Sequence, residues 1–191
     1  MDSRVSVRVG GRDLAVACHD AIRTLHDDVF LRPPFEYAPT APQDHDATLR
    51  EIREDPTFGI AVAGTGPDDL VGFAYGHRLP PDHRWWTRFP EPLPDDIVAE
   101  WEGRTFALID LAVAARWRRR GIGRRLVETL LTSRDEERAV LSVQPSASAA
   151  HALYEETGWR LVGRKGPIPG VIPPYWDIYL RPLGAVCGRQ R

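Results

Sequence analysis

The sequence contains very little lysine and cysteine, and it has no long apolar run. Of its 25 basic residues only Lys165 is a lysine, a bias that fits a high-GC bacterial genome. Cys18 and Cys187 lack metal-site spacing and are expected to be free thiols. No His/Cys/Asp cluster has ligand spacing, so no metal is predicted. Without a membrane-spanning run or a signal core, we expect a cytoplasmic protein.

The charge is divided unevenly along the 191 residues, which we interpret as one domain, 1–191. The net charge of −2 argues against general nucleic-acid binding. Residues 1–100 carry a balance of −8 and residues 101–191 a balance of +6. A polyanionic ligand and a cationic partner would each meet a complementary field. Uneven solvated surface charge is the alternative for the acidic half.

Hydrophobic periodicity predicts a mixed α/β order. Helices are expected within 14–30, from an Asp46 N-cap to about residue 55, over 121–133, and from Ser146 or Ser148 to Glu156. Residues 35–45 and 80–96 are proline-rich and predicted irregular, the latter as a loop or lid, and 181–191 as a frayed tail. Strands are expected over 4–9, 58–63, 70–79, 105–113, 139–143, 159–164 and 175–180.

A glycine-rich turn follows the strongly apolar strand 105–113. It reads Arg118-Arg119-Arg120-Gly121-Ile122-Gly123 and opens a helix pattern. Amides at a helix start lack intrahelical partners, and the helix dipole adds partial positive charge there. Glycines let the backbone approach a phosphate, and the arginines add full charges. The pattern therefore predicts a pyrophosphate cradle.

Two ordered motifs resemble the conserved blocks of the GNAT superfamily of N-acetyltransferases. The first is Arg118-x-x-Gly121-x-Gly123 after the strand ending Leu111-Ala112-Val113, and the second is Ala150-x-x-x-Tyr154-x-x-x-Gly158-Trp159. The resemblance is firm from about Leu70 to Tyr179. It implies a GNAT fold, a largely antiparallel twisted sheet of about seven strands flanked by helices. It also implies an enzyme that transfers an acetyl group from acetyl-CoA.

The resemblance also implies roles for individual residues. The backbone at Leu111 and Val113 would pair with the pantetheine arm, and the Val113 amide would stabilise the oxyanion. Tyr154 would protonate the leaving thiolate, while packing against the sheet is the alternative. Many relatives carry asparagine where this chain has Ala147, so Ser146 or Ser148 would have to substitute. The cofactor-binding residues are then Leu111, Ala112, Val113, Arg118, Arg119, Arg120, Gly121, Ile122, Gly123, Arg124, Ser148, His151 and Tyr154.

The general base stays open at this stage. Asp110 is isolated in an apolar run and is either catalytic or a structural carboxylate. His77, at the end of the third strand, is the best-placed group that titrates near neutrality. His83 and Asp177 are alternatives, as is a base acting through water.

Four aromatic residues, Trp85, Trp86, Tyr175 and Trp176, lie in or beside the two long loops. They either anchor the loops or floor a substrate pocket. With the acidic half, they predict a small-molecule amine acceptor, including aminoglycoside-like compounds. A protein amine, or a non-catalytic acyl-CoA-binding module, is the rival interpretation. A monomer and a homodimer are both compatible with the sequence.

Overall fold

The structure, a computed structural model, describes residues 5–66 and 69–184. A seven-stranded sheet in the order β1-β2-β3-β4-β5-β7-β6 forms its centre. β4 and β5 run parallel, and the other neighbours pair antiparallel. The predicted mixed, mostly antiparallel sheet is thereby confirmed. The strands are β1 (Ser6–Gly10), β2 (Gly59–Gly64), β3 (Leu70–Arg78), β4 (Thr105–Val113), β5 (Arg138–Val143), β6 (Arg160–Lys165) and β7 (Trp176–Pro182).

Helices cover both faces of the sheet. They are α1 (Arg12–Ala17), α2 (His19–Phe30), α3 (Ala41–Ile52), α4 (Asp95–Val98), α5 (Ile122–Thr132) and α6 (Ser148–Glu156). On one face α5 buries the apolar residues that its helical period predicts: Ile122, Leu126, Val127, Leu130 and Leu131. On the other face α2 buries Ile22, Leu25, Val29 and Phe30 against β2 and β3. None of the helices in the described residues has the length and apolar character needed to span a bilayer.

A bulge and a strand divergence shape the middle of the sheet. Gly76 pairs with Leu108 and Tyr75 with Asp110, so Ile109 is an extra residue in β4. The extra residue directs Ile109 and Asp110 to the same face, the one that α2 and α3 cover. β4 pairs with β5 only from Thr105 to Leu108, and its last five residues separate from β5. This separation creates a gap in the sheet.

The helix predicted from Asp46 begins five residues earlier, at Ala41. A proline is tolerated in the first turn of a helix, because the amide it lacks has no partner there. Thr40, just before the helix, also donates a hydrogen bond to Asp44 at 2.8 Å. The prediction that 41–45 is irregular is therefore wrong.

Two further predictions need correction. The segment 80–96 contains a 3-10 turn at Arg84–Trp86 and the start of α4, whose Ile97 packs into the core between β4, β5 and β7. Arg181 and Pro182 belong to β7 and not to a tail, and Arg181 binds Glu128 of α5 through two hydrogen bonds of 2.6 and 3.0 Å. The predicted tail from 185 onward lies outside the described residues.

Candidate active site

The edge of β4 presents free backbone amides to the gap. The Ala114 amide donates to Val71 of β3 at 2.9 Å. Because alternate amides along a strand point to opposite edges, those of Leu111 and Val113 point away from β3, toward the gap. No described residue of β5 pairs with them. They can therefore donate to an extended ligand lying between β4 and β5.

The turn before α5 closes one end of this gap. Gly121 has a φ of 73° and Arg119 a φ of 60°, which places both in the left-handed region. Within α5, the first amide that bonds back along the chain is that of Arg125, to the Gly121 carbonyl at 3.0 Å. The amides of Ile122, Gly123 and Arg124 precede it, so they have no helical acceptor. This helix start is suited to bind an anion.

The arginines of the turn have different surroundings. Arg118 donates from Nε to the Val113 carbonyl at 3.0 Å, which ties the turn to the end of β4. The Arg120 guanidinium lies 4.9 Å from the Trp117 ring centroid. Arg125 reaches the Val5 carbonyl at 3.2 Å, toward β1. Positive charge thus surrounds the helix start, while Arg125 is directed elsewhere.

The walls of the gap at this end are apolar. A Cβ atom built on Gly123 would lie 3.4 Å from Leu153, 3.8 Å from Val113 and 4.0 Å from Leu111. Ile122 is buried in the core, so only its backbone amide is available here. The predicted role of Ala112 is not supported, because its side chain packs on the opposite face and its amide points, like that of Ala114, toward β3. The cleft between β4 and α6 therefore combines apolar side walls with polar backbone at its rim.

Tyr154 lies on α6 beside the gap, in contact with Trp159 and Tyr179. Burial raises the pKa of Tyr154 above its ordinary value, and the negative charge of Asp110 raises it further. No described residue forms a hydrogen bond with its hydroxyl group. The phenol therefore stays protonated at neutral pH and is able to donate a proton.

Ser148 and His151, the other two predicted residues of α6, differ in whether their side chains are free to contact a ligand. Ser148 is exposed at the first position of the helix, whereas the Ser146 hydroxyl donates to the Pro34 carbonyl at 2.7 Å. Both ring nitrogens of His151 have internal partners, the Tyr179 hydroxyl at 2.8 Å and the Gln144 carbonyl at 3.2 Å. The Ser148 hydroxyl is therefore available to a ligand, whereas His151 links α6 to β7 and to the residue that follows β5.

Asp110 lies on the opposite side of the gap, with its side chain 17% exposed. The Tyr75 hydroxyl donates a hydrogen bond to its Oδ2 atom. Tyr37, in the segment between α2 and α3, lies close enough that the charge of Asp110 adds to the effect of burial in raising the pKa of its phenol. The carboxylate on β4 and Tyr154 on α6 thus lie close enough for the charge of Asp110 to affect the pKa of the phenol.

A small apolar cavity lies on the face of the sheet that carries Asp110. Its volume is about 150 Å³. Tyr37 lies between Asp110 and this cavity. Its pKa responds to the charge of Asp110, and its ring lies 6.3 Å from that of Trp176. The lining residues are Trp85, Ser142, Lys165, Ile168, Trp176 and Ile178.

The gap, the free amides of β4 and the basic helix start fit a long ligand with a pyrophosphate end. The family model described as "Acetyltransferase (GNAT) family" matches residues 20–159. The chain belongs to the GNAT acetyltransferase family. The predicted GNAT fold, the acetyltransferase activity and acetyl-CoA as the acetyl donor are confirmed at the level of the family.

Solved structures agree in fold. Aminoglycoside 6′-acetyltransferase type Ii is 18% identical with a TM-score of 0.64, over 93% of this chain and 97% of that one. The Escherichia coli ribosomal-protein-S18-alanine N-acetyltransferase is 16% identical with a TM-score of 0.59, over 98% and 99%. Arabidopsis thaliana NAA60 in complex with acetyl-CoA is 18% identical with a TM-score of 0.63, over 93% and 96%. Among curated protein sequences there is no match.

Within this GNAT domain His77 lies far from the gap. It pairs with Ala107, at the end of β4 where β4 and β5 are still bonded, whereas Val113 pairs with Gly72 at the other end. Its Nδ1 atom lies 3.6 Å from Asp55. The structure does not bring His77 together with Asp110 and Tyr154.

The two alternative bases are also placed apart or already paired. Asp177 is buried and accepts two hydrogen bonds from Arg164, at 2.7 and 2.9 Å. His83 lies in the loop before the 3-10 turn, where burial lowers its pKa. Of the carboxylates and imidazoles predicted as bases, Asp110 alone faces the gap of the GNAT domain.

The four predicted acceptor residues separate into two pairs. Trp85 and Trp176 line the cavity, and Lys165 donates to the Trp85 carbonyl at 2.7 Å. Trp86 instead donates to Glu100 at 2.7 Å and packs in the core, which makes it an anchor of the loop. Tyr175 is 43% exposed and outside the cavity lining.

A larger cavity of about 480 Å³ lies elsewhere, between β1, β2, α2 and the end of α3. Arg8, His19, Arg50 and Arg53 are among its lining residues, and none of the predicted site residues is. The gap, and not this larger cavity, contains the features that the GNAT motifs predict.

Three residues near Asp110 are absent from the sequence-based predictions. Tyr37 and His45 come from the segment 35–45, predicted to be irregular, and Tyr75 lies in the strand predicted over 70–79. Alternation along β3 places Tyr75 on the face of Phe73, and this was the available signal for a hydroxyl group facing the core. No local sequence pattern indicated Tyr37 or His45.

Proposed function

We propose that this GNAT enzyme acetylates a primary amine on a small molecule that carries an apolar ring. One observation supports this most directly: the free amides of Leu111 and Val113 face a gap flanked by Asp110 on one side and Tyr154 on the other. Acid, base and oxyanion donor are thereby available around one extended cleft. Direct transfer within a ternary complex needs no further group from the protein.

The residues of the chain would divide the chemistry as follows. Bound acetyl-CoA supplies an activated acyl thioester. Asp110 takes a proton from the amine nitrogen, which frees the lone pair for attack on the thioester carbonyl. The Val113 amide donates to the negative charge that develops on the carbonyl oxygen. As the C–S bond breaks, the Tyr154 hydroxyl would give its proton to the departing sulfur. The acylated nitrogen must lose its second proton to become the amide, and that proton would restore the phenol.

The substrate class is inferred from the cavity near Asp110. An apolar cavity of about 150 Å³ has room for one benzene ring. The indoles of Trp85 and Trp176 offer flat apolar walls, and Lys165 in the lining disfavours a second cationic group on the substrate. These features favour an amine with one apolar ring over a polycationic sugar or a peptide chain.

Thiol release from acetyl-CoA, with 2-phenylethylamine as the amine, tests the proposal. We expect amine-dependent release, reduced about 100- to 10,000-fold in Asp110→Asn and in Tyr154→Phe, because each removes a proton-transfer group. Acetyl-CoA affinity by calorimetry should stay unchanged in both variants. Asp20→Asn, which alters an exposed carboxylate at the start of α2, is the matched control and should keep full activity.

Two results would contradict the proposal. Tight acetyl-CoA binding without release for any of a panel of small amines would favour a sensor of acyl-CoA, and release only with peptide amines would favour a protein acceptor. Full activity of Asp110→Asn would exclude this carboxylate as the base.

A further inference from the structure

Behind Asp110 a line of polar groups extends into the helical layer. Tyr75 of β3 donates to Oδ2 of the carboxylate. Nε2 of His45, on α3, lies 3.0 Å from the Tyr75 hydroxyl oxygen and 3.6 Å from the same carboxylate oxygen. Tyr75 is fully buried and the His45 side chain is 5% exposed. Because buried polar groups need hydrogen-bond partners, each of these contacts must have one donor and one acceptor.

The proton count determines that direction. A phenol has one proton, and Tyr75 gives it to Asp110, so the phenol oxygen must accept from His45. His45 then carries its proton on Nε2. Its Nδ1 atom is buried and has no partner among the described residues. Burial lowers the pKa of His45 to about 4, although the charge of Asp110 opposes this effect, so the ring is neutral at physiological pH.

The hydrogen-bonded series from His45 through Tyr75 to Asp110, here called the donor line, is held in one orientation by packing. The His26 ring of α2 stacks on His45 with centroids 3.5 Å apart and planes within 5°. The Tyr75 ring stacks on Phe73 at 5.7 Å and contacts Phe58 at 6.0 Å. Because neighbours hold both rings, neither donor can turn away from the carboxylate without disturbing the core.

We propose that Tyr75 and His45 are positioning residues that orient the Asp110 carboxylate, which leaves Oδ1 free to take the amine proton. This inference rests on the proposed function, in which Asp110 is the base. Both donors face Oδ2, and no described residue hydrogen-bonds to Oδ1.

A metal site is the alternative for this region, because ligand atoms of His26, His45 and Asp110 lie within 4.8 Å of one another. Zinc binds about 2.0–2.1 Å from an imidazole nitrogen and close to the plane of the ring. Two parallel rings 3.5 Å apart share no such plane. The stacked pair therefore favours the donor line over a metal site.

Other titratable groups near Asp110 come from each element packed around it. α2 contributes His26, whose Nδ1 lies 3.1 Å from Asp27. The segment after α2 contributes Tyr37, and α6 contributes Tyr154 across the gap. Their phenols have raised pKa values and stay neutral at the pH of the assay.

The activity test compares kcat and KM for acetyl transfer to 2-phenylethylamine. In Tyr75→Phe we expect kcat to fall about tenfold while the KM for acetyl-CoA stays unchanged, because the carboxylate loses a charged hydrogen bond. His45→Leu should lower kcat in the same way. His45→Gln, which retains an N–H donor, should restore most of the wild-type kcat. His19→Gln removes an imidazole that pairs with Asp46 at 2.8 Å, outside the donor line, and should leave kcat unchanged.

A purely structural role would give His45→Gln the same loss of kcat as His45→Leu. That result, or a wild-type kcat in both Tyr75→Phe and His45→Leu, would overturn the proposal.

A second measurement needs no substrate. Long-range ¹H–¹⁵N spectra at pH 7 should show His45 neutral with the proton on Nε2, and Tyr75→Phe should weaken this tautomer preference. An Nδ1–H tautomer or an imidazolium in the wild type would overturn the proposal. If Asp110→Asn stays active while the tautomer is as expected, the base assignment fails and the donor line stands as a structural feature only.

Discussion

The buried His45 ring should make the stability of the enzyme depend on pH. Its pKa is about 4 in the folded state and 6.5 in the unfolded chain. Between these values the unfolded chain binds more protons, so the free energy of unfolding should fall as the pH falls through this window. The two pKa values correspond to about 2 kcal/mol lost between pH 7 and pH 5, and about 3 kcal/mol in all.

The assay is urea unfolding at a series of pH values for the wild type, His45→Gln and His45→Leu. Other groups titrate too, so the informative quantity is the difference between wild type and variant at each pH. Both variants should lose about 2 kcal/mol less than the wild type between pH 7 and pH 5. If His45→Gln and His45→Leu show the same reduction in pH dependence, the effect comes from the titration of His45 and not from a change in packing. Parallel curves for all three proteins would refute the reasoning.

Two further predictions concern the two ends of the cleft. Gly123→Asp should raise the Kd for acetyl-CoA at least tenfold in calorimetry, because it places a carboxylate at the helix start. Gly123→Ala, whose Cβ meets Leu153 at an ordinary 3.4 Å, should bind nearly as well, and equal loss in both variants would point to packing instead. Trp176→Ala should raise the KM for 2-phenylethylamine about tenfold, since about 1.4 kcal/mol of apolar contact is lost. The KM for acetyl-CoA should not change, and Trp101→Ala, at an exposed indole outside the cavity, should change neither value.

Local patterns were sufficient to predict the cofactor side of the site. The strand before Arg118, the turn at Gly121 and the apolar period of α5 follow one another in the chain, and each depends on its neighbours in sequence. This strand–turn–helix arrangement could therefore be predicted before any packing was known. The mixed, largely antiparallel sheet of about seven strands followed from the family resemblance.

The acceptor side could not be predicted in the same way. Tyr37, His45 and Tyr75 come from three separate elements and meet at Asp110 only through packing. The bulge at Ile109 determines where Asp110 points, and one extra residue in a strand leaves no mark on its hydrophobic pattern. His77 was predicted as a base because an imidazole titrates near neutral pH. The register of β3 and β4 places it opposite Ala107, where β4 is still paired with β5.

The scarcity of lysine has a practical consequence for chemical labelling. Lys165 is the only lysine of the chain, and it lines the aromatic cavity with its Nζ atom held by the Trp85 and Arg84 carbonyls. Burial lowers the pKa of this amine, which increases its neutral, nucleophilic fraction. An amine-selective probe therefore has a single side chain to modify, beside the place where the acceptor is proposed to bind. Protection of that one site would report occupancy of the cavity by compounds that are never turned over.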